Sequence, residues 1–478
     1  MINNLKNRTV HATLWSGVER FSAQGISFLL GIMMARLLCP AEFGLIAMLS
    51  IFLDISQTFV DSGFANALIH KKDRTEVDFS TVFYFNVFIS VIVYCALFFF
   101  AKDIAFFYNE PMLCPIMKCI GINIIISAFT VVQKTKFIID LNFKAQAKIS
   151  VISIFVSGII GVILAYNGAG VWSLVCQSLI NNFLLMTLFW ISSKWRPLCT
   201  YSWSSFHQLF SFGSKLLVSS LLHSVYMNLY SLIIGRFYTA TNVGYYNRMS
   251  SMGQFPANNI MQVIIKVIYP IQCQIRDDKE LLNKSFIQYL RMASFIVFPI
   301  MIVICALAKP IVLLVLTEKW MPAVYLLQIL CLGYMWTPIM LVNNNILNVM
   351  GRTDYFLRAE IFKKIIAFLI LVITLFHGIV ILCYGIVLYH LFDVLIIIFF
   401  SRKVIEFGYL RQLKNLLPIL IISIFVGVVA YALTFIISNI FLQVLLGVCI
   451  SGIMYLSLAY LFKFREIQYI RYVVKHVI

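Results

Sequence analysis

The sequence predicts an all-α integral membrane protein with about fourteen transmembrane helices. Three observations predict it. Of the 478 residues, 62% are hydrophobic and only 12% are charged, against roughly a quarter charged in soluble domains. The apolar residues come in runs of about 20, the length that crosses a hydrocarbon core at about 1.5 Å per residue. Lysine and arginine collect at one set of span ends.

The first seven spans fall near residues 12–35, 43–69, 79–101, 112–132, 148–166, 170–191 and 208–235. The second seven fall near 243–270, 287–308, 323–349, 358–376, 379–400, 416–437 and 440–462. Strands of an outer-membrane barrel would alternate over about ten residues, and these runs do not. A helix satisfies its own backbone in lipid, so helices are expected throughout, with a kink at Pro256 in the eighth.

Basic residues of short loops stay on the cytoplasmic side. They crowd Lys134–Lys148, Arg276–Arg291, Arg352–Lys364, Arg402–Lys414 and both chain ends, whereas the opposite side holds only Arg36, Lys102, Lys118, Arg236, Lys309 and Lys319. Both termini are therefore expected in the cytoplasm, which requires an even number of crossings. The net charge of +18 is then mostly a topology signal plus attraction to anionic membrane lipids. Spread over many loops, it forms no arm or patch for nucleic acid. The basic start runs into a span containing Glu19 and Arg20, without a small-residue cleavage site, so a removable signal peptide is not expected. Eleven cysteines stand singly, without a C-x-x-C pair or a histidine at metal spacing. They read as small apolar side chains, and no metal or cofactor is expected.

A repeat organises the chain. Ala35-Arg36-Leu37-Leu38-Cys39-Pro40-Ala41-Glu42-Phe43-Gly44 recurs as Gly235-Arg236-Phe237-Tyr238-Thr239-Ala240-Thr241-Asn242-Val243-Gly244. Each copy joins the first two helices of a six-helix set. The expected organisation is two pseudo-equivalent six-helix lobes, 1–200 and 201–405, followed by two extra helices and a cytoplasmic tail in 406–478. Even-numbered repeats share one orientation, which places their pseudo-symmetry axis along the membrane normal. Such duplicated lobes are a transporter design in which substrate sites lie between the halves.

Polar groups at bilayer depth are expensive and mark candidate sites. The first span carries Glu19, Arg20 and Gln24; the second carries Asp54, Gln57 and Asp61 on one helical face. Lys215, Ser219 and His223 form a stripe on the seventh, and Arg248, Asn258, Asn259, Gln262 and Lys266 lie on the eighth. Arg20 and Lys215 each sit eight or nine residues from the cytoplasmic edge, roughly 12–14 Å deep. A phosphate group entering between the lobes would meet a guanidinium able to bond it bidentately and a compact ammonium. Arg20, Lys215, Arg248 and Lys266 are thus the expected anion-binding residues. Pairing of Arg20 with Asp61 or Glu19 would account for the same charges by pinning helices together. Asp54, Asp61 and Glu19 are the candidate proton or sodium sites. Asn343 and Asn344, within the run Asn343-Asn344-Asn345, either line a hydrophilic cavity and bond sugar hydroxyls or hydrogen-bond between helices.

Leu14-Trp15-Ser16-Gly17, the Ala35–Gly44 loop, Asp61-Ser62-Gly63-Phe64, Gly235-Arg236, Gly244-Tyr245-Tyr246-Asn247-Arg248 and Gly351-Arg352-Thr353-Asp354 together resemble the Wzx-type polysaccharide flippases. Those belong to the multidrug, oligosaccharidyl-lipid and polysaccharide exporter superfamily. The resemblance spans essentially the whole chain, with Cys39 standing where the family commonly has glycine. It implies a bacterial inner-membrane translocase that moves an undecaprenyl-pyrophosphate-linked oligosaccharide to the periplasmic leaflet, with H+ or Na+ coupling and a polysaccharide polymerase as a possible partner. It supplies no catalytic motif, since flipping breaks no bond. A membrane glycosyl polymerase is disfavoured because no sizeable outer loop exists, and a primary pump because no G-x-x-x-x-G-K-[ST] is present. An ion-coupled drug or cation antiporter would favour an acidic cavity over Arg20, Lys215 and Arg248. A flippase for the lipid-linked peptidoglycan precursor is the chemically similar alternative.

Overall fold

A computed structural model describes residues 22–61, 63–71 and 73–467, without the side chains of Phe212 and Lys215. Helices dominate, and the described residues contain no strand. The chain gathers into two compact units, Met1–Gly244 and Tyr245–Ile478.

In the first unit, α1 (Ser22–Leu37) precedes α2 (Pro40–Asp61), α3 (Phe64–His70), α4 (Glu76–Tyr108), α5 (Leu113–Ile120), α6 (Ile122–Ile139), α7 (Phe143–Tyr166), α8 (Val171–Ser192) and α9 (Trp203–Phe237). Helix α10 (Ala240–Gln274) starts in the first unit and continues into the second. There follow α11 (Lys279–Ala306), α12 (Ala308–Val315), α13 (Val324–Tyr334), α14 (Thr337–Val349), α15 (Thr353–Thr374), α16 (Ile379–Ser401), α17 (Tyr409–Ile436) and α18 (Ile440–Leu461).

The expected spans are helical where described except at short breaks, among them the left-handed Gly63 between α2 and α3 in the second. Eleven helical stretches among the described residues are long and apolar enough to cross a membrane. Helices α1, α10 and α15 fall outside that set for two reasons. The described part of α1 is short, while α10 and α15 carry many polar and charged residues: Arg248, Asn258, Asn259 and Lys266 on one, Arg358, Glu360, Lys363 and Lys364 on the other. The fourth expected span is broken at Gly121 into α5 and α6, and the tenth at Met335–Trp336 into α13 and α14.

Local chemistry sets the helix starts. Thr75 and Asp78 form a capping box at α4, with the Thr75 amide donating to Asp78 Oδ2 at 2.8 Å. Asn142, Ser202, Asp278 and Asn439 each accept a first-turn amide hydrogen at α7, α9, α11 and α18. These side chains satisfy donors that a helix leaves open at its start. Large apolar side chains such as Phe99, Phe106, Ile373, Phe435 and Ile436 remain exposed, as expected where the solvent is acyl chain.

The first unit has an aromatic core of Phe64, Phe79, Phe83 and Trp195 around Leu68, Val82, Val132 and Leu209. The link between α8 and α9 is tied to the start of α4: the Leu198 amide donates to Ser80 Oγ at 2.9 Å and the Ser202 amide to Thr81 Oγ1 at 3.1 Å. This anchoring directs α9 along α2, so the helix expected to open the second repeat packs within the first unit. In the second unit α17 and α18 lie against each other and against α11. The Tyr455 hydroxyl donates to the Phe295 carbonyl at 2.9 Å across the α18–α11 contact.

Candidate functional site

Helix α2 turns a polar face toward α9. The Asn228 amide sits at its centre: Nδ2 donates to Asp54 Oδ2 at 2.8 Å, and Oδ1 accepts Ser50 Oγ at 2.8 Å. One turn away Thr58 and Ser224 share a hydrogen bond of 3.0 Å. The pairs run antiparallel, from Ser50 with Asn228 to Thr58 with Ser224. At the far end Gly63, with φ of 69°, meets the backbone of Gly213, where a β-carbon would fall 2.6 Å from the Gly213 carbonyl oxygen. Only glycine combines that left-handed conformation with so close an approach.

Asp54 remains exposed despite its bond to Asn228. Asp61, also exposed, accepts Gln57 Nε2 at 3.1 Å, and Gln57 Oε1 accepts Ser127 Oγ of α6 at 2.8 Å. Asp54 and Asp61 thus belong to one polar face supported by α6 and α9. Glu19 and Arg20 lie outside the described residues, as does the side chain of Lys215. Replacing Asn228 by alanine removes the group that orients Asp54. Such a variant is expected to fold and to lose about 1 kcal/mol of stability with the bond between α2 and α9, read as a lowered midpoint of thermal unfolding in detergent.

The two copies of the sequence repeat touch. A β-carbon on Gly44 would overlap the Ala240 carbonyl oxygen, and one on Gly244 would overlap the Pro40 carbonyl oxygen. The remaining clearances are equally reciprocal, 3.1 Å from Gly44 to the Gly244 nitrogen and 3.2 Å in reverse. Ala240 and Gly244 are four apart, the spacing by which small residues let membrane helices approach backbone to backbone. Matching residues of a duplicated motif meet as local two-fold partners where α2 and α10 begin, all within the first unit.

In the second unit Arg248 is half-buried on α10 and Lys266 is exposed. Asn343 is fully buried, and its amide is engaged on every side. It exchanges two bonds with the Gln412 amide at 3.0 and 3.1 Å, accepts Ser401 Oγ at 2.6 Å and donates to the Ile339 carbonyl at 2.8 Å. Of the two readings of this asparagine, the geometry supports the interhelical one: Asn343 binds α14 to α16 and α17 and presents nothing to a ligand. Asn345 is likewise spent, donating to Gln272 Oε1 at 2.8 Å. Asn344 differs, since its amide oxygen is buried without a hydrogen-bond partner among the described residues.

A charged cluster appears that sequence reasoning missed. Lys363, only 2% exposed, lies 2.9 Å from Asp393 of α16 and 3.1 Å from Glu360 on its own helix. Counted in the sequence as a loop cation, Lys363 is instead ten residues into α15, roughly 15 Å along its axis. Asp393 carried the available signal. It is the one acidic residue of α16, and a carboxylate in such a run demands a partner. Ahead of this cluster, Arg352 grips Asp354 through two bonds of 2.9 and 2.8 Å. That guanidinium holds the Asp354 carboxyl down at about 2.

Known proteins share this architecture. The inward closed form of the lipid II flippase MurJ superposes with a TM-score of 0.77 over 94% of this chain and 98% of its own, at 14% identity. An inward-facing multidrug resistance MATE family transporter gives 0.61 over 85% of this chain and 98% of its own, at 13% identity. Fold and apolar spans together define the class, a multi-pass helical membrane protein. Within it, the chain belongs to the polysaccharide biosynthesis protein family, whose sequence pattern matches residues 33–325. Among its relatives are lipopolysaccharide biosynthesis protein WzxC of Escherichia coli, 23% identical over 75% of this chain and 74% of that one, and teichuronic acid biosynthesis protein TuaB of Bacillus subtilis, 26% identical over 63% and 62%. A membrane protein of the Klebsiella pneumoniae cps region is 27% identical over 69% of each chain.

Proposed function

We propose that this protein is a translocase that carries a lipid-linked oligosaccharide, its lipid an undecaprenyl pyrophosphate, from the cytoplasmic to the periplasmic leaflet of the bacterial inner membrane. The observation that carries the reading is the family match, residues 33–325, in relatives named for making surface polysaccharides, on the fold of a lipid II flippase. A substrate with a greasy tail and a hydrated anionic head suits an apolar helical bundle that carries polar groups such as Asp54, Asn228 and Arg248 within its length.

Basic loops on the cytoplasmic side favour both termini there, and duplicated halves of the kind expected from the repeat open alternately to either side. Arg20, Lys215 and Arg248 receive the pyrophosphate, Lys266 guides it from the inner edge, and Asn344, whose buried amide oxygen has no hydrogen-bond partner among the described residues, accepts a sugar hydroxyl once the halves part. Asp54 and Asp61, with Glu19, couple the movement to protons or sodium. A polysaccharide polymerase on the outer face would take the delivered unit. No bond is made or broken, so the protein acts as a carrier and not as an enzyme.

Deleting the gene is expected to accumulate the lipid-linked oligosaccharide on the inner leaflet. An Arg20→Ala/Lys215→Ala protein should fail to relieve that block while reaching the membrane in normal amount, measured by leaflet-specific labelling of the glycolipid. Full relief by this variant would remove the anion-binding assignment. Export of a cationic dye from vesicles with no glycolipid movement would move the protein to the antiporter class.

A further inference from the structure

A cleft of about 1580 Å³ opens where the start of α11, the α16–α17 link and the end of α18 converge. All of its lining belongs to the second unit, and none of it was singled out as a site from the sequence.

The cleft is amphipathic. Ile287, Met292 and Phe464 give it half-buried and buried apolar walls. Lys279, Lys284, Lys463 and Arg465 reach its exposed part, and none of these four has an ion-pair partner among the described residues. Two exposed carboxylates, Glu280 and Glu406, also line it, so the cations outnumber them. The wall behind is fixed and neutral. Arg291 bonds both oxygens of Glu466, one of them at 3.2 Å, and donates to the Asn415 carbonyl at 3.0 Å. That brace joins α11, α17 and the exit from α18 in one rigid corner. The chain leaves α18 through Lys463 in a left-handed conformation, φ 52°, which carries Lys463 and Arg465 to the opening.

We propose that this cleft holds the headgroup of an anionic glycerophospholipid of the cytoplasmic leaflet. The proposal rests on the orientation given above, by which the start of α11 and the end of α18 lie at the inner headgroup level. At that level each lysine or arginine near an anionic surface contributes about 1 kcal/mol. Unpartnered cations over an apolar wall match a phosphate attached to acyl chains, whereas a soluble anion would leave the wall wet. The chain's own continuation is a poor occupant by charge, because residues 468–478 add Arg471 and Lys475 and no acidic side chain.

Purified full-length protein in detergent, titrated with phosphatidylglycerol and followed by native mass spectrometry, tests the site. Binding should exceed that of phosphatidylethanolamine and weaken about a hundredfold in Lys284→Gln/Lys463→Gln/Arg465→Gln. Lys102→Gln/Lys309→Gln should bind like the parent. Equal retention of the two lipids, or unchanged binding by the triple variant, overturns the proposal. So does full competition by inorganic pyrophosphate, which would mark a plain anion site, or displacement by undecaprenyl pyrophosphate alone, which would mark a substrate station. Because binding is read in detergent, it stands apart from orientation, which a fluorescent reporter fused to the C-terminus reads separately, and from flipping.

Discussion

Gly44→Ala is expected to destabilise the protein, although the same change at an ordinary helical position stabilises. Glycine inside a helix costs about 0.5–1 kcal/mol relative to alanine. At Gly452 of α18, where a β-carbon meets nothing within 4 Å, alanine should return that amount. At Gly44 the added methyl group runs into the carbonyl of Ala240, and at Gly244 into that of Pro40. Backbone cannot swing aside as a long side chain can, so α2 and α10 must separate at their starts. Overpacking costs about 1–3 kcal/mol, occasionally more, and the larger end of that range is expected here. Gly44→Leu and Gly244→Leu should leave little folded protein. Thermal unfolding in detergent, with Gly452→Ala as control, is the measurement. If Gly44→Ala and Gly452→Ala shift the midpoint equally upward, the close crossing is wrong.

The second large effect belongs to the buried ion pair of α15 and α16. Lys363→Met removes the cation from between Asp393 and Glu360 and leaves a buried carboxylate unpaired. Loss of one partner of a buried pair costs about 3–5 kcal/mol, a large share of the about 5–15 kcal/mol that holds an ordinary folded protein. Asp393→Leu strands Lys363 in the same way. The double variant Lys363→Met/Asp393→Leu should recover most of the loss, since two apolar side chains can replace a buried pair at little cost. Stability of the two single variants and the double one gives the coupling energy directly. A double variant as unstable as either single one would show that the pair is not the source. Transport by the double variant then separates two roles: a pin between helices predicts activity close to normal, and a titrating site predicts its loss.

Legibility in the sequence differed from feature to feature. Apolar length marked helices at the expected spans that the structure describes, because a backbone in lipid has few other solutions. The repeat could be read from two short motifs, and the arginines and glycines that carry it are local. That Gly44 and Gly244 are in contact could not be read, since nothing in either motif tells how near the other copy lies. Asp54 stood out as a charge in an apolar run, but its orientation by Asn228 depends on a helix more than 170 positions away.

Lys363 shows the limit most directly. A lysine near the start of an apolar span satisfies the same local pattern whether it snorkels to the headgroups or turns inward, and only Asp393, brought alongside by the packing of α16, decides between them. Asn343 is the converse, a polar residue whose sequence allowed either a cavity or a neighbour and whose partners proved to be Gln412 and Ser401. Composition and periodicity by themselves determined that this chain spans a membrane as a bundle of helices, because solvent and backbone impose those features residue by residue. Which polar groups are spent on each other and which stay open was decided only by tertiary structure, because a hydrogen bond needs two partners and the sequence specifies their distance in chain, not in space.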